Sequence, residues 1–567
     1  MRPTPAQRNP QYRVLPADEH AAAALARACS LGVTAGQLLL NRGVTDPSTA
    51  EAYLEATLRG LSSPASMADR GMAADRLVRA IQAGERIVVF GDYDVDGTTS
   101  ALILTEIVEA LGGQARTVIA DRFRGGYGLS NTALEDCMAT SPSVLVTCDC
   151  GSSDHERIAE ASRRGADVIV VDHHLVPDEP LPALAFLNPH RPECAFGFKG
   201  LCSAGLAFSL GAALRAEMSA KIDLREWLDL VAIGTIADLA PLDGDNRRLV
   251  RAGLKRFGSG STRPALRALR QVTNLPDSPY LTARDVAFRV APRLNAPGRL
   301  GHADLTLRLL ASKTLTDALR LVQEVEQTND ERKALTHRAS DEARAQVVEI
   351  YGAEPARGVV VASEAWHRGV VGIVAARLVD AFSVPVVAIA FDGEVGHGSA
   401  RTPKGFDVYR ALEHAQDSLD GWGGHRAAAG LSLRRAELDA FRAAFADATG
   451  ETSREATPQQ AVDVELGGAF RIPTVEDLAR LGPFGEGNPT PRYLARAHIA
   501  ELKGVGEDQA HAKLRLQIGS DTVRAFAPSQ FAKLEGRQDA TLIGEVQPDH
   551  FIGGQAVEFL VTDVLDS

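Results

Sequence analysis

Residues 87–104 read IVVFGDYDVDGTTSALIL, which places Asp92, Asp94 and Asp96 at alternate positions behind a short apolar run. Two chemistries use such a pattern. One is calcium binding, because D-x-D-x-D-G opens an EF-hand loop. That loop needs a bidentate Glu at its twelfth position and a helix before it. Here the twelfth position is Ile103 and the preceding residues read as a strand, so calcium is rejected. The other is a catalytic metal site at the end of a buried strand. Period-two spacing places the three carboxylates on one side of an extended segment, and oxygen ligands favour Mg²⁺ or Mn²⁺. From this motif alone, a solvated acidic loop is the plainer alternative.

Three further segments supply matching groups. SVLVTCD ends in Asp149, ADVIVVDHH ends in Asp172, His173 and His174, and the apolar LVAIGTIAD ends in Asp238. A parallel sheet presents all its C-terminal tips on one edge, where open α/β sheets bind ligands. Carboxylates and imidazoles from four segments are therefore expected to converge. A lone buried His is more often a core residue than a ligand, but two adjacent His behind an Asp at a strand tip shift that balance. A cluster of this size suits two metal ions about 3.5–4 Å apart and hydrolysis of a phosphorus–oxygen bond. The imidazole makes Mn²⁺ acceptable beside Mg²⁺.

The elements that must position these groups form an α/β pattern. Two helical stretches fill the first 75 or so residues. From Arg86, short β-branched runs (RIVVF, RTVIADRF, SVLVTCD, ADVIVV) alternate with helical stretches. Strands that are apolar throughout indicate a parallel sheet covered on both faces. Residues 314–351 read as one long charged helix, which suits a connection between lobes. A second α/β unit follows, with GVVVASE, VPVVAIAF and VGHGSAR as strands. HAKLRLQI and AVEFLVTDV alternate apolar and polar residues, so they read as half-buried antiparallel strands of a small C-terminal β-barrel.

Composition bounds the function. A chain of 567 residues holds several domains. Six cysteines are too sparse for a disulfide framework, and the Cys148-x-Cys150 pair lacks further ligands at zinc spacing. Net charge is −12, which excludes a global basic field. Between Arg247 and Arg299, however, 12 Lys or Arg face two acids, Asp277 and Asp285. Such a run is either a solvated face or a local phosphate track. The opening MRPTPAQRNPQYRVLP lacks the apolar core of a signal peptide, and no run approaches a membrane span, so a cytoplasmic protein is expected.

These residues resemble the DHH phosphoesterase superfamily, named for the Asp-His-His seen here as Asp172-His173-His174. The order GDYDVDG, CDCG, VDHH, GTIADLAPL also matches. Within the superfamily the chain is most similar to the RecJ single-strand-specific exonucleases. RFRGGYGLS (122–130), VAPRLNAPGRLGHA (290–303), LGPFGEGNPTP (481–491) and the N-terminal QLLLNRGVTDPSTAEAYL carry that resemblance over nearly the whole chain. It implies an N-terminal helical region (1–75), a DHH catalytic domain (76–313), a connecting helix (314–351), an α/β DHHA1 domain (352–455) and an OB-fold β-barrel (456–567), with the active site in the cleft between the DHH and DHHA1 domains. It further implies 5′-to-3′ hydrolysis of single-stranded DNA to 5′-mononucleotides in bacterial DNA repair and recombination, with two Mn²⁺ or Mg²⁺ ions. The implied partners are single-strand binding protein and a RecQ-type helicase, and a monomer is expected.

Site roles follow from the resemblance position by position. Asp94, Asp96, Asp149, His173 and Asp238 match the metal ligands, with Asp149 bridging, and Asp92 is a ligand or its close neighbour. His174 would contact the scissile phosphate. Arg122 and Tyr127 lie in the segment that handles the 5′ side, and Arg293, Asn295 and Arg299 in a loop expected to hold phosphates. In the DHHA1 unit, Ser399, Arg401, Gly423, Gly424 and His425 are expected to contact phosphate, since glycine lets backbone N–H groups approach it closely. Cys150 departs from the Asn expected there, which bears on hydrogen bonding around the ligands but not on the ligand set. In the barrel, Lys513 and Arg515 beside His511 fit an electrostatic groove for single strands. Core packing is the expected role of Phe526, Phe531 and Phe551, with base stacking the alternative. Two rival readings remain. One is a DHH phosphodiesterase of short oligonucleotides or cyclic dinucleotides. The other is a non-catalytic scaffold, which should have lost metal ligands.

Overall fold

The computed structural model describes residues 11–259, 263–450, 459–506 and 508–565. The opening decapeptide read for a leader, and the domain boundary expected at residues 455–456, lie outside the described residues. The described residues divide into two compact units, one within 12–325 and 460–565 and the other within 326–459.

In the first unit, five parallel strands lie in the order Gln114–Ile119, Arg86–Gly91, Val144–Cys148, Asp167–Val171, Ala185–Leu187. The last of these has no counterpart in the sequence reading, because a three-residue run carries too little periodicity. Alternation decides which way each strand residue faces. Ile87 and Val89 pack with the helices Val95–Ala110 and Ser203–Glu217, while Val88 and Phe90 pack on the other face with Leu134 and Ile158. Every position of the run is therefore buried, at roughly 1.5–3 kcal/mol of burial for each large apolar side chain. The chain leaves Arg86–Gly91 in one direction across the sheet and returns to Val144–Cys148 on its other side. The switch point thus lies between these two strands, where open sheets bind ligands.

The same unit contains a closed barrel. Strands Tyr493–Val505, His511–Ile518, Asp521–Ala527, Val557–Leu565 and Asp539–Pro548 pair in that order, and the first closes on the last. The barrel core is shared with the N-terminal helices, whose Leu25, Leu38, Leu39 and Leu54 join Val464, Tyr493, Leu516 and Phe559 in one cluster. Lys513 and Arg515 alternate outward on their strand as expected. Phe531 packs against the barrel core and Phe526 is half-buried. Phe551 contradicts the packing expectation. It sits in a helical turn, His550–Ile552, and is 79% exposed.

The basic run resolves into structural clamps. Arg247 is 4% exposed, stacks 3.9 Å over the Tyr53 ring and donates to the carbonyls of Tyr53 (3.2 Å) and Arg480 (3.0 Å). Arg251 donates to the Leu54 carbonyl, and Arg263 pairs with Glu106 at 2.9 Å. The run was expected as a solvated face or a local phosphate track, but these three guanidiniums close backbone carbonyls and a carboxylate. We expect Arg247→Ala to destabilise this unit by about 2–4 kcal/mol, because it leaves two buried carbonyls unpaired and removes a ring stack. Urea unfolding measures this; an unchanged midpoint would contradict the clamp.

In the second unit, the sheet order is Gly421–His425, Ala428–Arg434, Val395–Arg401, Val386–Asp392, Val359–Ser363. Only the last pair is parallel. One helix, Leu315–Tyr351, carries the chain from the first unit into the second. Among the described residues, no single helix is long and apolar enough to cross a membrane.

Candidate active site

Strand register delivers the acidic residues side by side. Gly91 is opposite Cys148, and Cys148 is opposite Val171. The next residues are Asp92, Asp149 and Asp172, and each continues the ladder: their N–H groups donate to Cys148, Val171 and Leu187. Neighbouring parallel strands stand about 4.8 Å apart, so the three residues start at one level on one edge.

Beyond Asp92 the expectation of an extended segment fails. Asp94 is instead the N-cap of helix Val95–Ala110, accepting from the Gly97 N–H at 3.0 Å, and Asp96 lies in its first turn. The reason is local: an Asp at this position satisfies an orphan helix N–H. Gly97 also lets the helix press on Asp92, since a Cβ there would lie 2.6 Å from the Asp92 nitrogen. Asp96 is held from the far side. The N–H groups of Ser203 and Ala204, which open the helix Ser203–Glu217, donate to its two oxygens at 2.7 and 3.0 Å.

Three donor groups result. Asp92, Asp94 and Asp149 form one, Asp96, His173 and Asp238 a second, and Asp149, His173 and His174 a third, each with ligand atoms within 4.8 Å of one another. Asp149 and His173 link the sets. The His173 Nε2 lies 3.2 Å from Asp149, 3.8 Å from Asp238 and 4.0 Å from Asp96.

Electrostatics says what this cluster lacks. Burial, and then the charge of Asp94, push the Asp92 carboxyl well above its usual range. Burial and the neighbouring Asp94 and Asp96 do the same to Asp149. Asp238 is pushed up to about 9 by burial and by Asp96 and Asp94. Burial lowers His173, leaving a neutral imidazole, the form that binds metal. Asp92 is 2% exposed, and its Oδ1 is buried without a hydrogen-bond partner. An unpaired buried carboxylate oxygen among mutually repelling carboxylates and a neutral imidazole fits Mn²⁺ or Mg²⁺.

Asp172 plays a different part. Its Oδ1 accepts from the His174 Nδ1–H at 2.7 Å and from the N–H groups of His173 and His174, and its Oδ2 accepts from the Ser152 hydroxyl at 2.6 Å. Burial alone would lower His174, but the hydrogen bond and charge of Asp172 hold it up at about 9. His174 is thus aimed by Asp172. The Tyr127 hydroxyl lies 3.0 Å from His174 Nδ1 and donates to the Asp149 carbonyl at 3.0 Å. Arg122 stacks over the Tyr93 ring at 4.3 Å.

The segment with Arg293, Asn295 and Arg299 was expected as a loop and is a helix, Ala291–Leu300. Pro292 falls in its first turn and Pro297 lies inside it. Gly298 seats this helix on the metal-site loop: a Cβ there would lie 2.4 Å from the Tyr93 carbonyl oxygen. Ser203, Ser152 and Asn188 were missed in the sequence reading. Ser203 Oγ donates to Asp149 at 3.1 Å, and Asn188 donates to the His174 carbonyl at 2.8 Å. Only Ser203, opening a run of small residues before a helix, gave any signal. The GEGNP segment meets the chain four residues beyond Asp238, where the Glu486 carbonyl accepts from the Leu242 N–H at 2.7 Å. Cys150 is fully buried, its thiol donates to the Cys148 carbonyl at 3.5 Å, and it lies within the electrostatic reach of Asp92, Asp172 and Asp149.

In the second unit, Gly423, Gly430 and Ser399 stand side by side across three strands. The two glycines leave a bare backbone floor beside Ser399 and Arg401. Gly424 has φ +148 and its Cβ position lies 2.5 Å from the Ala428 carbonyl oxygen, so this edge requires glycine. Gly423, Gly424 and His425 are exposed.

Comparison with known proteins agrees with this geometry. Residues 86–235 match the DHH family N-terminal domain, 356–451 the DHHA1 domain and 463–563 the RecJ OB domain. The single-stranded-DNA-specific exonuclease RecJ of Bacillus subtilis is 33% identical over 539 residues, covering 93% of this chain and 67% of the relative. That of Escherichia coli is 32% identical over 553 residues, covering 93% and 95%. This chain belongs to the RecJ family. RecJ from Thermus thermophilus, crystallised in complex with Mn²⁺, matches with a TM-score of 0.80 at 30% identity, over 98% of this chain and 80% of that one. Another exonuclease RecJ, bound to manganese, matches at 35% identity and a TM-score of 0.60, over 69% and 96%. The RecJ family and its fold are those expected from the sequence.

Proposed function

We propose that this RecJ-family chain is a 5′-to-3′ exonuclease that hydrolyses single-stranded DNA to 5′-mononucleotides. The observation that carries the reading is the register that sets Asp92, Asp149 and Asp172 side by side, with His173 between Asp149 and Asp238. Asp92, Asp94, Asp96, Asp149, His173 and Asp238 would hold two Mn²⁺ or Mg²⁺ ions, which when bound supply a hydroxide nucleophile at neutral pH and neutralise charge on the phosphate.

The remaining roles belong to the protein's own groups. Ser203 and the helix start behind it fix Asp149 and Asp96. His174, aimed by Asp172, contacts the scissile phosphate. Arg122, held on Tyr93, and Tyr127 orient the 5′ end. Arg293, Asn295 and Arg299 on the seated helix, and Ser399, Arg401, Gly423, Gly424 and His425 in the second unit, hold phosphates of the strand. The resemblance alone supports single-strand binding protein and a RecQ-type helicase as partners in bacterial DNA repair and recombination; a cytoplasmic monomer is proposed beside it.

The test uses Mn²⁺ with 5′-labelled single-stranded DNA, duplex DNA and a dinucleotide. Mononucleotide release from long single strands is expected, and EDTA is expected to abolish it. Cleavage of the dinucleotide alone would move the activity to short oligonucleotides; no cleavage of any substrate would favour a scaffold.

A further inference from the structure

A cavity of about 280 Å³ opens where three stretches of the first unit meet. Leu254 and Leu281 come from the sheet domain, Val475 and Leu478 from the helix Val475–Leu481, and Val546 from the barrel; all five are buried and line it. The rings of Tyr280 and Phe484 complete the wall. Protein interiors leave few voids larger than a water molecule, and this one comes close to the roughly 300 Å³ at which small-ligand sites begin. Its charged groups are few. Arg284 is already met by Glu545 at 2.5 Å. Arg251 and Lys255, one helical turn apart, are not: among the described residues, no acid lies within ion-pair distance of either. Arg251 is half-buried and steadied by the Leu54 carbonyl, and Lys255 is exposed. Gln547 donates through its amide nitrogen to Glu558 at 2.9 Å, which leaves its amide oxygen as an acceptor.

An apolar slot beside two unmatched cations calls for a flat apolar body that carries an anion. A 5′-mononucleotide meets each demand. Its base is planar and lies against Tyr280 and Phe484, and an amino group on the base donates to the Gln547 oxygen. Its phosphate, close to a dianion at neutral pH, takes charge-assisted hydrogen bonds from Arg251 and Lys255.

The walls of the cavity lead to the metal site from two sides. Residues 281–284 run into the continuous helical stretch 283–300, whose Gly298 packs on the Tyr93 carbonyl between Asp92 and Asp94. Pro483 and Phe484 lead directly to Glu486, whose carbonyl accepts from the Leu242 N–H, four residues beyond Asp238. We propose that this cavity is an effector site for a 5′-mononucleotide, the class of molecule that hydrolysis of the strand releases. A ligand held between the two walls fixes both segments, and through them the backbone beside the metal ligands. The source of the ligand rests on the nuclease reading above; the site itself rests on the cavity.

The test is calorimetric titration of the full chain with dAMP in EDTA, which keeps metal from the carboxylates. Saturable binding is expected. Lys255→Glu places an acid at an exposed position and is expected to raise the Kd at least about tenfold, the low end for one lost hydrogen bond to a charged group. Ala479→Phe puts a ring into the cavity from a half-buried position on its wall and should abolish binding. Thermal melting checks that both variants fold. Inorganic phosphate, which lacks the base, and deoxyadenosine, which lacks the phosphate, should each bind more weakly than dAMP. With Mn²⁺ and labelled dT20, dAMP should change kcat at least about twofold in the wild type and not in Lys255→Glu; a change in kcat separates the cavity from product that competes in the cleft. No binding of dAMP, binding that both variants leave intact, or phosphate binding as tight as that of dAMP would each overturn the site, and the first would leave the cavity to a protein side chain. Binding with no change in kcat would overturn the effector role. A wild type that leaves dT20 uncut would sink the nuclease reading, while the titration in EDTA would still decide the site.

Discussion

Asp149→Asn is expected to lower turnover of single-stranded DNA at least about a thousandfold, roughly 4 kcal/mol of transition-state stabilisation at 1.36 kcal/mol per decade. Asp149 belongs to two of the three donor groups and approaches His173 at 3.2 Å, so its loss affects both halves of the cluster. Asn is the informative replacement. Asp149 has φ +64, in the left-handed region, which Asn tolerates and Ala does not. The Ser203 hydroxyl can still donate to the amide oxygen. The fold and the binding of single strands should therefore persist, with affinity within about threefold. Turnover, Mn²⁺ titration by calorimetry and dT20 anisotropy would measure the three quantities. Near-normal turnover, or an unchanged Mn²⁺ isotherm, would remove Asp149 from the shared position.

Asp172→Asn tests the second layer of the site. Asp172 belongs to none of the donor groups, yet both its oxygens are engaged. An amide keeps one acceptor oxygen and presents donors where the second oxygen accepted, so His174 loses either its aim or its charge. The expected result is a fall in kcat of about a hundredfold, in the range known for residues that orient metal ligands and catalytic His side chains. Mn²⁺ affinity should fall by less than tenfold, because the ligands themselves remain. A variant that loses metal and turnover together would make Asp172 a metal-holding residue instead.

These two predictions rest on features of unequal legibility. The tips at Asp149 and Asp172 could be read directly, because β-branched runs that end in Asp fix both the strand and its last residue. The convergence also followed, since parallel strands share one edge. What failed was the backbone between signals. GDYDVDG looked extended by its period, but Asp94 caps a helix, and capping is decided by a single hydrogen bond that periodicity does not record. VAPRLNAPGRL was expected as a loop from the resemblance alone, and it is a helix. The arginine run stayed open between a solvated face and a phosphate track, because charge in a sequence does not say which carbonyls will meet it. Ser152 and Asn188 were invisible, as their roles exist only once strands have assembled around Asp172. Phe551 was misjudged for the opposite reason: composition favours burial of a phenylalanine, and only the short turn that carries it leaves the ring outside.

The shared core of the N-terminal helices and the barrel has a consequence for the order in which the protein is made. Leu38 and Leu39 are fully buried, but part of their cluster comes from residues beyond Val464. At ~5–20 residues per second of synthesis, those helices leave the ribosome on the order of half a minute before the strands that cover them. Through that interval the nascent chain carries an open apolar surface, and the parallel pairing of Tyr12–Val14 with Gln460–Val462 has no second strand. A chain cut short before Val464 would therefore carry a metal-binding sheet beside uncovered helices, a natural substrate for chaperones and proteases.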